Sequence, residues 1–390
     1  MKRILSRDFL ALILSVAVVG LGLGATLPLT ALALTQAGYG TDVVGLMTAM
    51  QAGGGLAVVP FASRIAGRFG ARETIVATVI MVAGATVLMQ FTVNLWVWAA
   101  LRRTVRAALM LLFTIGEAWV TQLADDSTRG RVLAIYATNF TLFQMAGPVL
   151  VSFIGGWQAS RFALTGAIFL FALPVLMLIR GAPPLHGPDE QAPHEASSGW
   201  RHVLPQMPAI VIGTGFFALF DTLALSLMPL FAMSHGVSAE VAVLFASVLL
   251  LGDTTMQFPI GWLADRFGRM RVHIVAAVVV VALLPLLPWA ASRPWVCWPL
   301  LYVLGAAAGS IYTLSLVACG ERFRGAALVS ATSLVGASWS VASFGGPVIA
   351  GALMRQSGPN ALIAVLLASA AAFLLAAGWE ARRQRAGSAA

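Results

Sequence analysis

The ionisable side chains of most interest inside long apolar stretches are five: the acids Glu117, Asp221 and Asp253 and the bases Arg102 and Arg106. An ionisable group inside a bilayer costs a few kcal/mol or more, so each of the five points to a function by default. Arg102, Arg106, Met110, Phe113 and Glu117 recur at steps of three or four and share one helical face. Arg106 and Glu117 are three turns apart, roughly 16 Å, too far to pair directly. That face carries a positive zone at one end and a carboxylate at the other. Asp221 and Asp253 each fall about thirteen residues into an apolar stretch, near its middle. A carboxylate so placed can take up and release a proton, and a guanidinium can hold an anionic group or a neighbouring acid. Asp221, ahead of Glu117, is the candidate proton carrier, and Arg106 the candidate for an anionic ligand. The same residues could instead form structural ion pairs between helices, a reading that stays open.

The elements that position these groups must be helices in lipid. The chain of 390 residues is 59% hydrophobic and 10% charged, with a mean hydropathy of +0.89. A soluble domain carries about a quarter charged residues. Turn signals and charges divide the sequence into about twelve spans of bilayer length. They fall near 9–33, 43–63, 73–92, 96–122, 131–153, 159–180, 208–232, 240–264, 272–291, 295–317, 326–353 and 360–380. Met1-Lys2-Arg3 and the apolar run behind it mimic a signal peptide, but the run exceeds a signal core of roughly 7–15 residues and reads as a retained span. The net charge of +9 lies in short turns rather than on a soluble face, which speaks against nucleic acid.

Arginine placement gives the expected orientation. One side collects Lys2, Arg3 and Arg7, the loops at 64–72 and 266–271, Arg129, Arg131, Arg180, Arg201, Arg322, Arg324 and the C-terminal tail; the rest keeps only Arg102, Arg103, Arg106, Arg161, Arg293 and Arg355. By the positive-inside rule both termini are cytoplasmic. A proline-rich polar segment from 181 to 207 divides the chain, with six spans in 1–180 and six in 208–390. The halves echo each other: Ser63–Gly70 follows span two as Gly261–Gly268 follows span eight, and Gly147-Pro148 and Gly346-Pro347 interrupt spans five and eleven. Such repeats build transport sites between two halves.

Gly261-Trp-Leu-Ala-Asp265-Arg266-Phe-Gly268-Arg269-Met-Arg271 resembles the signature loop of the major facilitator superfamily. At finer grain the chain resembles the bacterial YcaD-like branch, through Arg102 followed by Glu117, Arg129-Gly-Arg131, Met228-Pro229-Leu230 and the run from Pro259 to Arg269. The resemblance implies an all-α membrane protein with twelve transmembrane helices in two pseudo-symmetric six-helix bundles, working as a monomer in the bacterial inner membrane. It also implies that spans one, four, seven and ten line a central cavity, which places Arg102, Arg106, Glu117 and Asp221 there. Span eight, with Asp253 and Gln257, borders the domain interface, where a locking role competes with substrate contact. In the loop, Gly261 and Gly268 are expected to allow close approach and a tight turn. Asp265 is expected to latch onto nearby arginines and a helix start, while Arg266, Arg269 and Arg271 sit on the anionic leaflet. The first copy of the loop departs from the pattern at Gly67 and Ala71, so only Asp265 can serve as this latch.

Weaker signals receive structural readings. Gly20, Gly22 and Gly24 suit close helix packing, and Gly53-Gly54-Gly55 is read as a place where the halves approach. Tyr302, Tyr312, Trp119 and Phe217 could wall a cavity or pack in the core. Of Asn139 and Gln144, about 140° apart on one helix, at most one can face a pathway. Cys297 and Cys319 are on the order of 30 Å apart on one helix and cannot be joined. The histidines, with His186, His194 and His202 in one polar segment, show no metal-ligand spacing. No cofactor is expected, and no G-x-x-x-x-G-K motif supports an ATP-driven pump. The leading expectation is therefore secondary transport of a small solute, coupled to protons, with efflux antiport favoured over uptake by symport. A membrane enzyme would need a cluster of acids, histidines or an activated nucleophile, and a transporter-shaped sensor a large soluble appendage.

Overall fold

A backbone surrounded by hydrocarbon must satisfy its own hydrogen bonds, and in runs of leucine, valine and alanine this is done by helices. The computed structural model describes residues 7–58, 61–92, 94–123, 129–154, 160–177 and 200–388, and no strand occurs among them. The first helices are α1 (Arg7–Gln36), α2 (Thr41–Val58), α3 (Ala62–Phe69), α4 (Ala71–Leu88), α5 (Leu95–Leu123), α6 (Arg129–Ile154), α7 (Arg161–Leu170) and α8 (Leu173–Leu176). Then come α9 (Trp200–Val203), α10 (Pro208–Ser226), α11 (Met228–Ser234), α12 (Ala239–Ala242), α13 (Leu244–Phe267) and α14 (Arg269–Leu283). The last are α15 (Leu287–Ala290), α16 (Pro294–Arg322), α17 (Gly325–Ser357) and α18 (Ala361–Ser388). The polar stretch 181–199, Lys2, Arg3 and Arg180 lie outside the described residues.

Among the described residues, nine helices are long and apolar enough to cross a membrane. The other expected spans exist as helices with visible reasons for falling short. α2 carries Asp42, Gln51 and three successive glycines, α5 carries three arginines and Glu117, and the sixth span is divided into α7 and α8. Pro148 and Pro347 were expected to interrupt their helices, yet α6 and α17 run through both. Neighbouring helices compensate for a lost amide in such settings. Phe153, Phe171 and Phe258 are almost fully exposed, side chains that suit lipid rather than water.

The chain divides into two compact units, Met1–Ala33 with Met47–Ala192, and Leu34–Leu46 with Pro193–Ala390. In the first unit, Leu12, Val16, Ile75, Leu109, Leu112, Trp119 and Phe169 form the core. Lipid tails are as apolar as leucine, so close approach rather than hydrophobicity holds such helices together. Gly20 and Gly24 provide it: a Cβ on either would lie 2.2 or 2.0 Å from carbonyl oxygens of α6. Gly54 does the same against Arg103 O of α5, at 2.3 Å. Gly54 and Gly55 thus seat α2 on α5 inside one unit, where the run Gly53-Gly54-Gly55 was expected to serve an approach between halves.

The second unit has its tightest seam between α13 and α16. A Cβ on Gly305 would lie 1.9 Å from Leu249 O, and one on Gly252 2.0 Å from Tyr302 O. α10 is tied to α17 by Ser338 Oγ donating to Val211 O at 2.6 Å and Thr222 Oγ1 donating to Ser343 Oγ at 3.2 Å. The start of α2 packs on α17 within this unit, with Thr41 Oγ1 donating to Gly351 O at 2.9 Å.

Candidate functional site

On α5 the predicted face is real but its members have different surroundings. Arg102 is 2% exposed and donates from Nε to Met47 O of α2 at 3.0 Å. It is turned into the α2–α5 seam. Arg106 is half-buried and lies alongside Gly55, whose missing Cβ would stand 3.3 Å from its Nε. Glu117 is exposed at the other end of the face. Next to it, Gly116 makes room for the Tyr136 hydroxyl, which donates to Phe113 O at 3.2 Å. Asn139 donates to Ile13 O of α1 at 2.7 Å, so its amide joins two helices.

In the second unit the structure brings two sequence-predicted acids together. Asp221 on α10 and Asp253 on α13 line one cavity of about 10 Å³, with Phe217, Phe220, Leu249 and Gly305 among its walls. That is room for about one water. Asp253 is buried and accepts from Gln257 Nε2 at 3.4 Å. On its other side stands Gly309 of α16, the glycine nearest to the carboxylate. One turn before Asp221, Phe217 stacks on Tyr312 with centroids 5.1 Å apart, and Tyr312 meets Trp339 edge-on at 5.2 Å. Three helices thus supply one aromatic group, of which Phe217 lines the cavity. Trp339 was absent from the sequence expectations, since nothing local marks it. Of the other aromatic candidates, Trp119 is fully buried in the core of the first unit, and the Tyr302 hydroxyl bonds Thr255 Oγ1 at 2.8 Å.

The signature loop joins α13 to α14. Gly268 has φ +92°, in the region that only glycine occupies without strain. Gly261 lies within α13, and a Cβ there would meet nothing within 4 Å, so the close approach expected of it does not occur among the described residues. Asp265 accepts from Arg269 Nη2 at 3.2 Å, and Arg269 Nη1 pairs with Glu321 at the end of α16. Arg266 lies over the Trp262 and Phe267 rings, 5.4 and 5.6 Å from their centroids. Glu321 escaped the sequence reading because it is 52 positions from Arg269 (321 − 269) in the chain.

A second polar knot lies near the ends of α16 and α18. Glu380, 5% exposed, pairs with Arg322 and accepts from the Ala209 backbone amide at 3.4 Å, where it caps the start of α10. Arg322 Nη1 also donates to Gln206 O at 2.6 Å. Among the described residues there is no group of three or more histidine, cysteine or acidic side chains able to hold a metal ion.

The family model of the Major Facilitator Superfamily matches residues 12–327 and 210–389. Among curated relatives, the MFS-type transporter YfkF of Bacillus subtilis (strain 168) is 27% identical over 363 residues, 89% of this chain and 88% of the relative. YcaD of Salmonella typhi, also MFS-type, is 25% identical over 374 residues, 95% of each chain. Among solved structures, a bacterial homologue of the human lysosomal transporter Spinster superposes with a TM-score of 0.74 at 16% identity, over 95% of both chains. A mutant of the nucleoside transporter NupG gives a TM-score of 0.77 at 12% identity, over 97% of this chain and 99% of the other. At these identities the structural likeness speaks for the fold.

Proposed function

The chain belongs to the major facilitator superfamily, and from that premise we propose that it exports a small amphipathic or anionic compound in exchange for protons, with Asp221 as the proton carrier. Membership makes it a multi-pass membrane protein and a secondary transporter, not an enzyme. The observation that carries the finer reading is the meeting of Asp221 and Asp253 at one small, otherwise apolar cavity. Two carboxylates there repel each other when both are charged, and a proton shared between them relieves the repulsion. Asp221 is the less buried of the two, which suits it to exchange the proton, while Asp253, held by Gln257, is the fixed partner.

Arg106 holds the anionic group of the substrate and Glu117 the opposite end of the same helical face, with Arg102 anchoring α5 behind them. Within the second unit, the Phe217–Tyr312–Trp339 group offers flat apolar surface suited to an amphipathic compound. Asp265, Arg266 and Arg269, with Gly261 and Gly268, form the gating segment, now extended to Glu321. The protein works as a monomer in a bacterial inner membrane, with two six-helix bundles, a cytoplasmic linker over 181–207 and cytoplasmic termini, an orientation that the arginine distribution supports.

The test is proton movement in proteoliposomes challenged with a panel of anionic and amphipathic compounds. Compound-dependent proton flux that is lost in Asp221→Asn and weakened in Arg106→Ala supports the reading. Compound flux with no proton movement overturns the coupling assignment.

A further inference from the structure

The seam between α2 and α5 in the first unit encloses polar atoms that the chain itself leaves unsatisfied. Arg102 Nη1 is buried with no hydrogen-bond partner, although Nε of the same guanidinium is bound to Met47 O. Gln51 is 3% exposed, and neither its Nε2 nor its Oε1 has a partner. Helix geometry brings these atoms to the same stretch of the seam. Met47 and Gln51 are one helical turn apart, so the Met47 carbonyl that accepts from Arg102 also accepts the Gln51 backbone N–H. A helical side chain leans over the turn N-terminal to its own Cα, which carries the Gln51 amide toward the guanidinium. One turn further on, Gly55 leaves its Cα bare beside Arg106, so a second guanidinium borders the same stripe of α2.

A buried charge is tolerated when it is both paired and hydrogen-bonded, and a buried amide with nothing to bond is comparably rare. None of the ion pairs formed among the described residues involves Arg102. A water could bond to Gln51 but would leave the guanidinium charge uncompensated. A small anion does both, accepting from Nη1 and from the amide nitrogen, with a water left to serve Oε1.

We propose that the α2–α5 seam binds a small monovalent anion, a halide or a compact carboxylate, between Arg102 Nη1 and Gln51 Nε2. The bound anion neutralises a buried arginine and holds α2 on the helix that carries Arg106. This site lies in the first unit and does not depend on proton coupling through Asp221.

The test is thermal unfolding of the purified full-length protein in detergent at fixed pH and ionic strength, titrating chloride or formate against gluconate as the bulky comparison anion. The melting temperature should rise saturably with the small anion. Saturation by chloride alone identifies a halide site, and saturation by formate a carboxylate site. Gln51→Leu should weaken the apparent affinity by about tenfold or more, the loss of one charged hydrogen bond. Gln51→Glu supplies a carboxylate inside the seam, so this variant in gluconate should melt where the wild type melts in saturating anion and should no longer respond to anion. A wild type that melts at one temperature in all three salts would overturn the proposal. So would a Gln51→Glu variant that is less stable than the wild type in gluconate.

Discussion

Gly309 of α16 faces the Asp253 carboxylate so closely that a Cβ on the glycine would stand 1.7 Å from Oδ1. The two residues sit at the seam where Gly252 and Gly305 already bring α13 and α16 into backbone contact. The carboxylate is therefore held between Gln257 on its own helix and a bare stretch of the next.

Gly309→Ala should push the Asp253 side chain out of this place. The expected cost is about 1–3 kcal/mol of stability, as is usual for overpacking, together with loss of proton-driven transport. Asp253→Ala removes the two closest atoms, Oδ1 and Cγ, and leaves only Cβ at 2.9 Å, so Gly309→Ala should cost less in that background. A double-mutant cycle on melting temperature measures this directly, and strictly additive effects would place the two side chains out of contact.

The two glycines of the signature loop should behave oppositely. Gly268 has φ +92° and ψ +129°, outside the left-handed helical well, and alanine there should cost roughly 1–3 kcal/mol. Gly261 is helical with open space around it, so alanine should be neutral or stabilise by up to about 1 kcal/mol through helix propensity. Unfolding of the two purified variants separates them, and equal destabilisation would mean that Gly261 serves close approach after all.

Arg269 joins Asp265 to Glu321 across exposed surface, with 69% and 57% of the two acidic side chains accessible. Exposed pairs contribute about 0–1 kcal/mol, so Glu321→Gln should scarcely shift the melting temperature. If the pair gates, the same substitution changes the maximal rate of transport while leaving the half-saturating substrate concentration nearly unchanged. A large stability loss with an unaltered rate would assign the pair to folding.

Glu380 is a different case, buried and serving both Arg322 and the amide that opens α10. Glu380→Gln keeps the shape but removes the charge, and should cost about 1–3 kcal/mol. Chemical or thermal unfolding of the variant checks the figure, with Glu321→Gln as the exposed comparison.

The sequence carried those features whose signal is local. Apolar length located the helices, the spacing of Arg102, Arg106 and Glu117 defined one face of α5, and Gly268 fell where a turn was needed. It carried less where a residue's meaning depends on a distant partner. Asp221 and Asp253 were each legible as buried acids, but their meeting at one cavity requires the crossing of α10, α13 and α16. Gly309 looked like one small residue among many until its neighbour was a carboxylate. His273, two residues beyond Arg271, carries no local signal of its environment. In the fold it is 4% exposed, places Nε2 3.0 Å from Ile311 O and packs its ring 4.7 Å from Phe373. Pro148 and Pro347 misled for the converse reason: their local preference is to break a helix, and tertiary packing overrides it.

The most direct test of the central claim compares two kinds of transport by Asp221→Asn in proteoliposomes. Exchange of labelled for unlabelled substrate at equal concentration needs no net proton movement, whereas accumulation driven by a pH gradient does. If Asp221 carries the proton, the variant keeps exchange near the wild-type rate and loses gradient-driven accumulation. Full gradient-driven accumulation by Asp221→Asn would contradict the account and leave the carboxylate pair a structural role only.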